Sequence, residues 1–207
     1  MRKGKIKEII KNLLIIIIIT VILISILALI YSFTQKNILI NETLFKKKAI
    51  LLAAGFNLPS KNIDILNLYD QTIKELIKKE DIEVYLYINN SLQEEDVLSS
   101  GYILIFTGAG LWGEITTALA FGKDLNTIAG IEFISQNETP GLGGRITESW
   151  FKKQFRGKIS ITEIIPEKNM PGQNEISGIT GATNTTKYVL KLIELGKKYI
   201  EDLKLKN

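Results

Sequence analysis

The chain is 207 residues long and contains neither cysteine nor histidine. Those absences exclude disulfides, thiolate nucleophiles, iron–sulfur ligation and an imidazole base, so redox or group-transfer chemistry has to come from a bound cofactor or a carboxylate. The formal charge of +4 sits at the N-terminus, where Arg2, Lys3, Lys5, Lys7 and Lys11 stand against Glu8; the remainder holds 21 bases and 21 acids, a balance with no global field to draw nucleic acid.

In chain order, residues 1–11 read as a cytoplasmic tail and residues 12–35 as a transmembrane helix. No charge falls within 12–35, and Leu13 to Phe33 is dominated by Leu, Ile, Val and Ala. About 20 apolar residues at ~1.5 Å each cross a hydrocarbon core of ~30 Å. The β-branched run Ile15–Ile19 is a poor helix in water, but in lipid the backbone must satisfy its own hydrogen bonds, and helix wins. A cleaved signal peptide is the competing reading. Its apolar region is usually only about 7–15 residues and ends in a small-x-small site, which Ala28-Leu29-Ile30-Tyr31-Ser32-Phe33 does not resemble. Tyr31 and Phe33 suit the far interface, and the basic tail favours a cytoplasmic N-terminus with the following domain outside.

Residues 36–99 are read as the N-terminal part of that domain and 100–207 as its core. Helices are predicted over 42–54, stopped by Gly55, and over 64–79, where Ile65, Leu68, Tyr69, Thr72, Ile73, Leu76 and Ile77 form a stripe. The period then changes to two, predicting strands over 83–88, 101–106, 114–121, 127–135 and 158–165. A polar loop occupies 91–100 and a glycine-rich turn 108–113. A short helix is expected over 148–155 with Thr147 as its N-cap, and a strong one over 184–203 with Val189, Leu192, Ile193, Tyr199, Ile200 and Leu203 on one face. The sum is an α+β fold, a single N-terminal transmembrane helix followed by a mostly antiparallel twisted sheet with packed helices.

Two segments carry chemical interest. Glu138-Thr139-Pro140-Gly141-Leu142-Gly143-Gly144 places three glycines behind a stiffening proline, so a flat ligand can approach bare backbone; the same residues also suit an ordinary tight turn. Gly178-Ile179-Thr180-Gly181-Ala182-Thr183-Asn184-Thr185-Thr186 enters the final helix, whose N-terminus offers unpaired N–H donors and partial positive charge to a phosphate. A Thr-rich N-cap at Thr183, Asn184 or Thr185 is the alternative. Neither segment is a Walker A loop or a dinucleotide fingerprint.

Gly108-x-Gly-Leu-Trp112, Asp124-Leu-Asn-Thr-Ile128-Ala-Gly130, Glu138-Thr-Pro-Gly-Leu-Gly143 and Thr180-Gly-Ala-Thr183, in that order, resemble the FMN-binding domain family of membrane redox pumps. Its members include the C subunit of the Na+-translocating NADH:quinone oxidoreductase and the paralogous G subunit of the Rnf electron-transport complex. The first two elements point towards the former.

The resemblance implies one FMN, joined covalently by a phosphoester to Thr183 by a separate flavin transferase. It implies a flavin site formed by Glu138, Thr139, Gly141, Leu142, Gly143, Thr180, Gly181 and Ala182. It further implies a bacterial inner-membrane location, other membrane subunits of a redox-driven ion pump as partners, and electron relay between redox centres as the function. No side chain is read as a catalytic acid, base or nucleophile, and no metal site is expected. An Rnf-type G subunit, a free-standing anchored flavoprotein, and a non-redox domain that kept the fold are the alternatives. Two positions depart from the family pattern: Ser177 stands where an Asp is frequent, and Gln136 where a His is frequent.

Overall fold

A computed structural model describes residues 2–79, 81–167 and 169–204; the side chains of 2–6, 36, 37, 39, 203 and 204 lie outside the description. The readings made on Arg2, Lys3, Lys5 and Leu203 therefore fall outside it as side chains. The chain divides into two compact units, residues 1–43 and 44–207.

The first unit is helical. It is the N-terminal part of α1 (Arg2–Ala53), and the stretch Lys7–Gln35 is long and apolar enough to cross a membrane. Three of its hydroxyls bond back within the helix. Thr20 Oγ1 donates to Ile16 O at 2.9 Å, Ser25 Oγ to Val21 O at 2.8 Å and Thr34 Oγ1 to Ile30 O at 2.9 Å. Such back-bonding pairs these hydroxyls on an apolar surface.

The second unit is built on a five-stranded antiparallel meander in the order β1-β2-β3-β4-β5. The strands are β1 (Ile73–Lys78), β2 (Ile82–Ile88), β3 (Ser100–Ala109), β4 (Glu114–Gly122) and β5 (Ile128–Ser135). The period of two divides their side chains between two cores. On one face Val84, Leu104, Phe106, Leu119, Phe121, Ile131 and Phe133 pack with Phe151 and Phe155 and with Val189, Leu192, Ile193 and Ile200 of the last helix. On the other, Tyr85, Tyr87, Ile103, Ile105, Ala118 and Ala120 pack with Ile50, Leu51 and Ala53 of α1 and Ile65 of α2 (Asn62–Thr72). The unit runs unbroken across residue 99, since β2 and β3 pair from Ile82↔Phe106 to Ile88↔Ser100.

The predicted helix over 42–54 is the end of α1. It stops where expected. Gly55 takes φ +82°, its N–H bonds Leu52 O at 2.9 Å, and Phe56 N–H reaches back to Leu51 O at 3.0 Å. This is the paired closing pattern of a left-handed helix terminus.

Four expectations need correction. The helix predicted over 64–79 ends at Thr72, and its second half is the edge strand β1. Ile73, Glu75 and Ile77 pair with Tyr87, Tyr85 and Val84, so the sheet edge claims a backbone that local periodicity left ambiguous. Exposed Lys74, Glu75 and Lys78 keep that edge from pairing further.

The strand predicted over 158–165 shrinks to β6 (Glu163–Ile165), paired in parallel with β7 (Glu175–Ser177), which the sequence reading missed. Lys158 is spent elsewhere, its carbonyl on Ile128 N–H at 2.9 Å and its ammonium on Gly172 O at 2.6 Å. Pro166 then removes the next N–H.

The helix predicted over 148–155 is only α3 (Ser149–Lys153), and Thr147 does not cap it. Thr147 ends a 3₁₀ turn (Gly143–Thr147) and donates to Gly144 O at 3.0 Å, leaving Glu148 at the cap position. The last helix, α4 (Thr183–Lys204), begins one residue earlier than expected.

The Asp124 motif is explained by turn geometry. Its carboxylate accepts Asn126 N–H at 3.1 Å, Thr127 N–H at 3.0 Å and the Thr127 hydroxyl at 2.6 Å, closing the β4–β5 connection.

Gly55→Ala tests the α1 stop. A Cβ there meets the Arg156 guanidinium at 2.1 Å and imposes a left-handed residue, at about 1–2 kcal/mol. The expected result is a lowered denaturant midpoint for the detergent-solubilised chain with an unchanged slope.

Candidate functional site

The two segments singled out in the sequence come together, and one buried acid joins them. Glu138 is 4% exposed. One of its oxygens accepts Leu111 N–H at 2.7 Å and Trp112 N–H at 3.2 Å, and the other accepts the Thr185 hydroxyl at 2.7 Å. Its own N–H donates to Gln136 Oε1 at 2.6 Å. A carboxylate removed from water needs this many donors. Glu138 thereby ties the β3–β4 turn, the 138–144 loop and the first turn of α4.

Gly143 sits inside the same junction. A Cβ on it would lie 2.6 Å from Thr185 Oγ1 and 2.7 Å from Glu138 Oε2, so any side chain would pry loop and helix apart. Across the junction Leu142 meets the Thr180–Gly181 turn: a Cβ on Gly181, at φ +77°, would lie 3.1 Å from Leu142 Cδ2. Ala182 is buried, and its carbonyl accepts Thr186 N–H at 3.1 Å, which opens α4.

The predicted site residues therefore fall into two groups. Glu138, Gly143 and Ala182 lie below the surface and hold the junction. Thr139, Gly141, Leu142, Thr180, Gly181 and Thr183 are exposed on it. Gly141 takes φ +74° with open space beside it. Thr183 is the first residue of α4, where a helix leaves its initial N–H groups unpaired, and its hydroxyl has no hydrogen-bond partner among the described residues. Of the three threonine and asparagine candidates for capping, only Thr185 has an assigned side-chain bond, and it is the one to Glu138.

Trp112 is 72% exposed beside Leu111, so its ring lies outside the core. Both departures from the family pattern have structural partners. Gln136 accepts from Glu138 N–H. Ser177 is buried in β7 and donates to Asn169 O at 2.7 Å.

An outer set of residues was missed. Arg145 forks onto Glu167, with Nη2–Oε1 at 2.7 Å and Nη1–Oε2 at 3.2 Å, and its Nε reaches Glu148 at 3.2 Å. Glu167 also accepts Thr180 N–H at 2.7 Å. Arg145 had a weak signal in following the glycine run directly. Glu167, in an irregular segment, had none.

Glu138→Ala leaves two N–H groups and a hydroxyl without their acceptor. At about 1.5–3 kcal/mol for a bond to a charged group, the expected loss is ~3 kcal/mol or more, read as a fall in thermal midpoint. Glu138→Gln keeps one acceptor oxygen and is expected to lose less.

Residues 110–196 match the FMN-binding domain family. The chain is 33% identical over 124 residues to the C subunit of the Na+-translocating NADH-quinone reductase of Pseudomonas aeruginosa, covering 54% of this chain and 48% of that protein. It is 35% identical over 97 residues to the G subunit of the Na+-translocating ferredoxin:NAD+ oxidoreductase complex of Acetobacterium woodii, covering 46% of each. The chain thus spans about half the length of the curated relatives it matches. The crystal structure of Shewanella oneidensis NqrC superposes with a TM-score of 0.60 at 19% identity, covering 75% of this chain and 96% of that one, a likeness of fold. The turn, loop and helix mouth that Glu138 joins all lie within the segment that matches the FMN-binding domain family.

Proposed function

We propose that this domain carries FMN covalently, its phosphate esterified to Thr183, and that the chain is the flavin-bearing electron-transfer subunit of a membrane Na+-translocating oxidoreductase of the NADH:quinone type. The observation that carries the proposal is the exposed Thr183 hydroxyl, without a partner among the described residues, at the mouth of α4 beside the glycine-rich 138–144 loop.

The residues present fit the group. The unpaired N–H groups of the first turn of α4 and the helix dipole suit a phosphate. Gly141 and Gly181 leave backbone uncovered, and exposed Leu142, Leu111 and Trp112 offer apolar surface to a flat ring. Thr139 and Thr180 add exposed hydroxyls. Glu138, Gly143 and Ala182 act from beneath by fixing these parts.

Bound flavin supplies reversible electron acceptance. The protein's part is attachment, placement and partial exclusion of water. In forming the ester, Thr183 Oγ1 bonds to the phosphorus of FMN delivered as a phosphoric anhydride by a flavin transferase. The anhydride's other phosphate leaves, and the hydroxyl proton passes to a base on that enzyme. A tether suits a site outside the cytoplasm, where lost cofactor is not regained. The apolar stretch 7–35 supports a single-pass anchor, with the N-terminus cytoplasmic and the domain on the outer side of a bacterial inner membrane. The matched relatives support partnership with other subunits of a redox complex.

Thr183→Ala, co-expressed with a flavin transferase, is expected to lose in-gel flavin fluorescence after denaturation. A persisting band would move the attachment to Thr180, Thr185 or Thr186. An unlabelled wild-type chain would favour the non-redox domain.

A further inference from the structure

The 138–144 loop and the mouth of α4 are joined twice. The inner joint is the buried Glu138. The outer one is a chain of charge-assisted bonds. Arg145, directly after the glycine run, grips Glu167 at 2.7 and 3.2 Å, and Glu167 Oε2 accepts the Thr180 N–H at 2.7 Å. Arg145 is held from behind by Glu148 at 3.2 Å and lies over the Trp150 ring at 5.5 Å.

Thr180 is followed by left-handed Gly181 and then by Ala182, on which α4 starts. Glycine in that conformation has wide freedom, so the direction in which the chain enters α4 depends on what fixes Thr180. Glu167 is the side chain that accepts the Thr180 N–H. A half-exposed ion pair contributes little to stability. A bidentate fork nonetheless fixes orientation well, and Glu167 passes that orientation to the backbone three residues before Thr183.

We infer that Glu167, oriented by Arg145, is a positioning residue that aims the Thr183 hydroxyl for attachment of the flavin phosphate. This rests on the proposed ester. Glu167 touches neither Thr183 nor the reacting atoms, and it acts through the Thr180–Gly181 turn. The Arg145 fork and the Thr180 N–H hold its carboxyl down at about 2, so the joint is intact from mildly acidic pH upward.

The test is the initial rate at which the full-length chain gains covalent flavin with transferase limiting, read by in-gel fluorescence beside the thermal midpoint. Glu167→Ala is expected to slow labelling about fivefold or more, since small misplacements of a reacting group are costly, with little change in midpoint. Glu167→Gln, whose carbonyl still accepts the Thr180 N–H, is expected to recover part of the rate. Labelling of Glu167→Ala at the wild-type rate, or rates that merely follow the midpoint across the variants, overturns the inference. Should Glu167→Ala not fold, Arg145→Ala carries the test: it leaves the Thr180 bond in place but frees the carboxylate, and a wild-type rate again overturns the inference. A wild-type chain that takes no flavin defeats the ester and this inference together, whereas equal labelling of wild type and Glu167→Ala defeats this inference alone.

Discussion

Three backbone segments far apart in sequence converge on the carboxylate of Glu138. A buried carboxylate is tolerated only when its lone pairs are filled, and here the donors come from the β3–β4 turn and from the start of α4, while Gln136 holds the acid's own backbone. The constraint works in both directions. The acid has to be where the donors meet, and the turn, loop and helix have to stay where the acid holds them. Gly143 is small because it lies between Glu138 and Thr185. Trp112 is exposed because its backbone, not its ring, is what the junction uses.

The sheet makes that convergence possible. Alternation along β2 to β5, interrupted by irregularities in the β4–β5 pairing, sends one set of side chains towards α3 and α4 and the other towards α1 and α2. Helix α4 is therefore held along its length by Val189, Leu192, Ile193 and Ile200, while its N-terminal turn meets the loop at Glu138 and Gly143. Burial of that face supplies stability, at about 25 cal/mol per Å² of apolar surface. The polar junction at the helix mouth supplies position. A site that must present one hydroxyl in one direction needs both, because a packed helix alone does not set the path of the chain into it.

Much of this was legible in the sequence. Strands β2 to β5 announced themselves by alternation, α4 by its apolar stripe, and the end of α1 by Gly55. The misreadings share a cause: they concern segments whose state is decided by a distant partner. Residues 73–78 carry a helical stripe and a strand pattern at once, and the free edge of β2 decides. Lys158 looks like the start of a strand until its ammonium and carbonyl are claimed elsewhere. At the site, small side chains and a helix-entry position drew attention to both motifs, while the individual residues were named by the resemblance. The division of labour between Glu138 below and Thr183 above was not readable, since burial at a loop depends on what folds over it. Glu167 was invisible for the same reason.

Peptide mass mapping of the chain isolated from its native membrane reads directly whether Thr183 bears a flavin nucleotide. The peptide containing Thr183 is expected to be heavier by FMN less one water, with fragmentation assigning the added mass to Thr183. That peptide recovered wholly unmodified from a colourless protein would contradict the attachment.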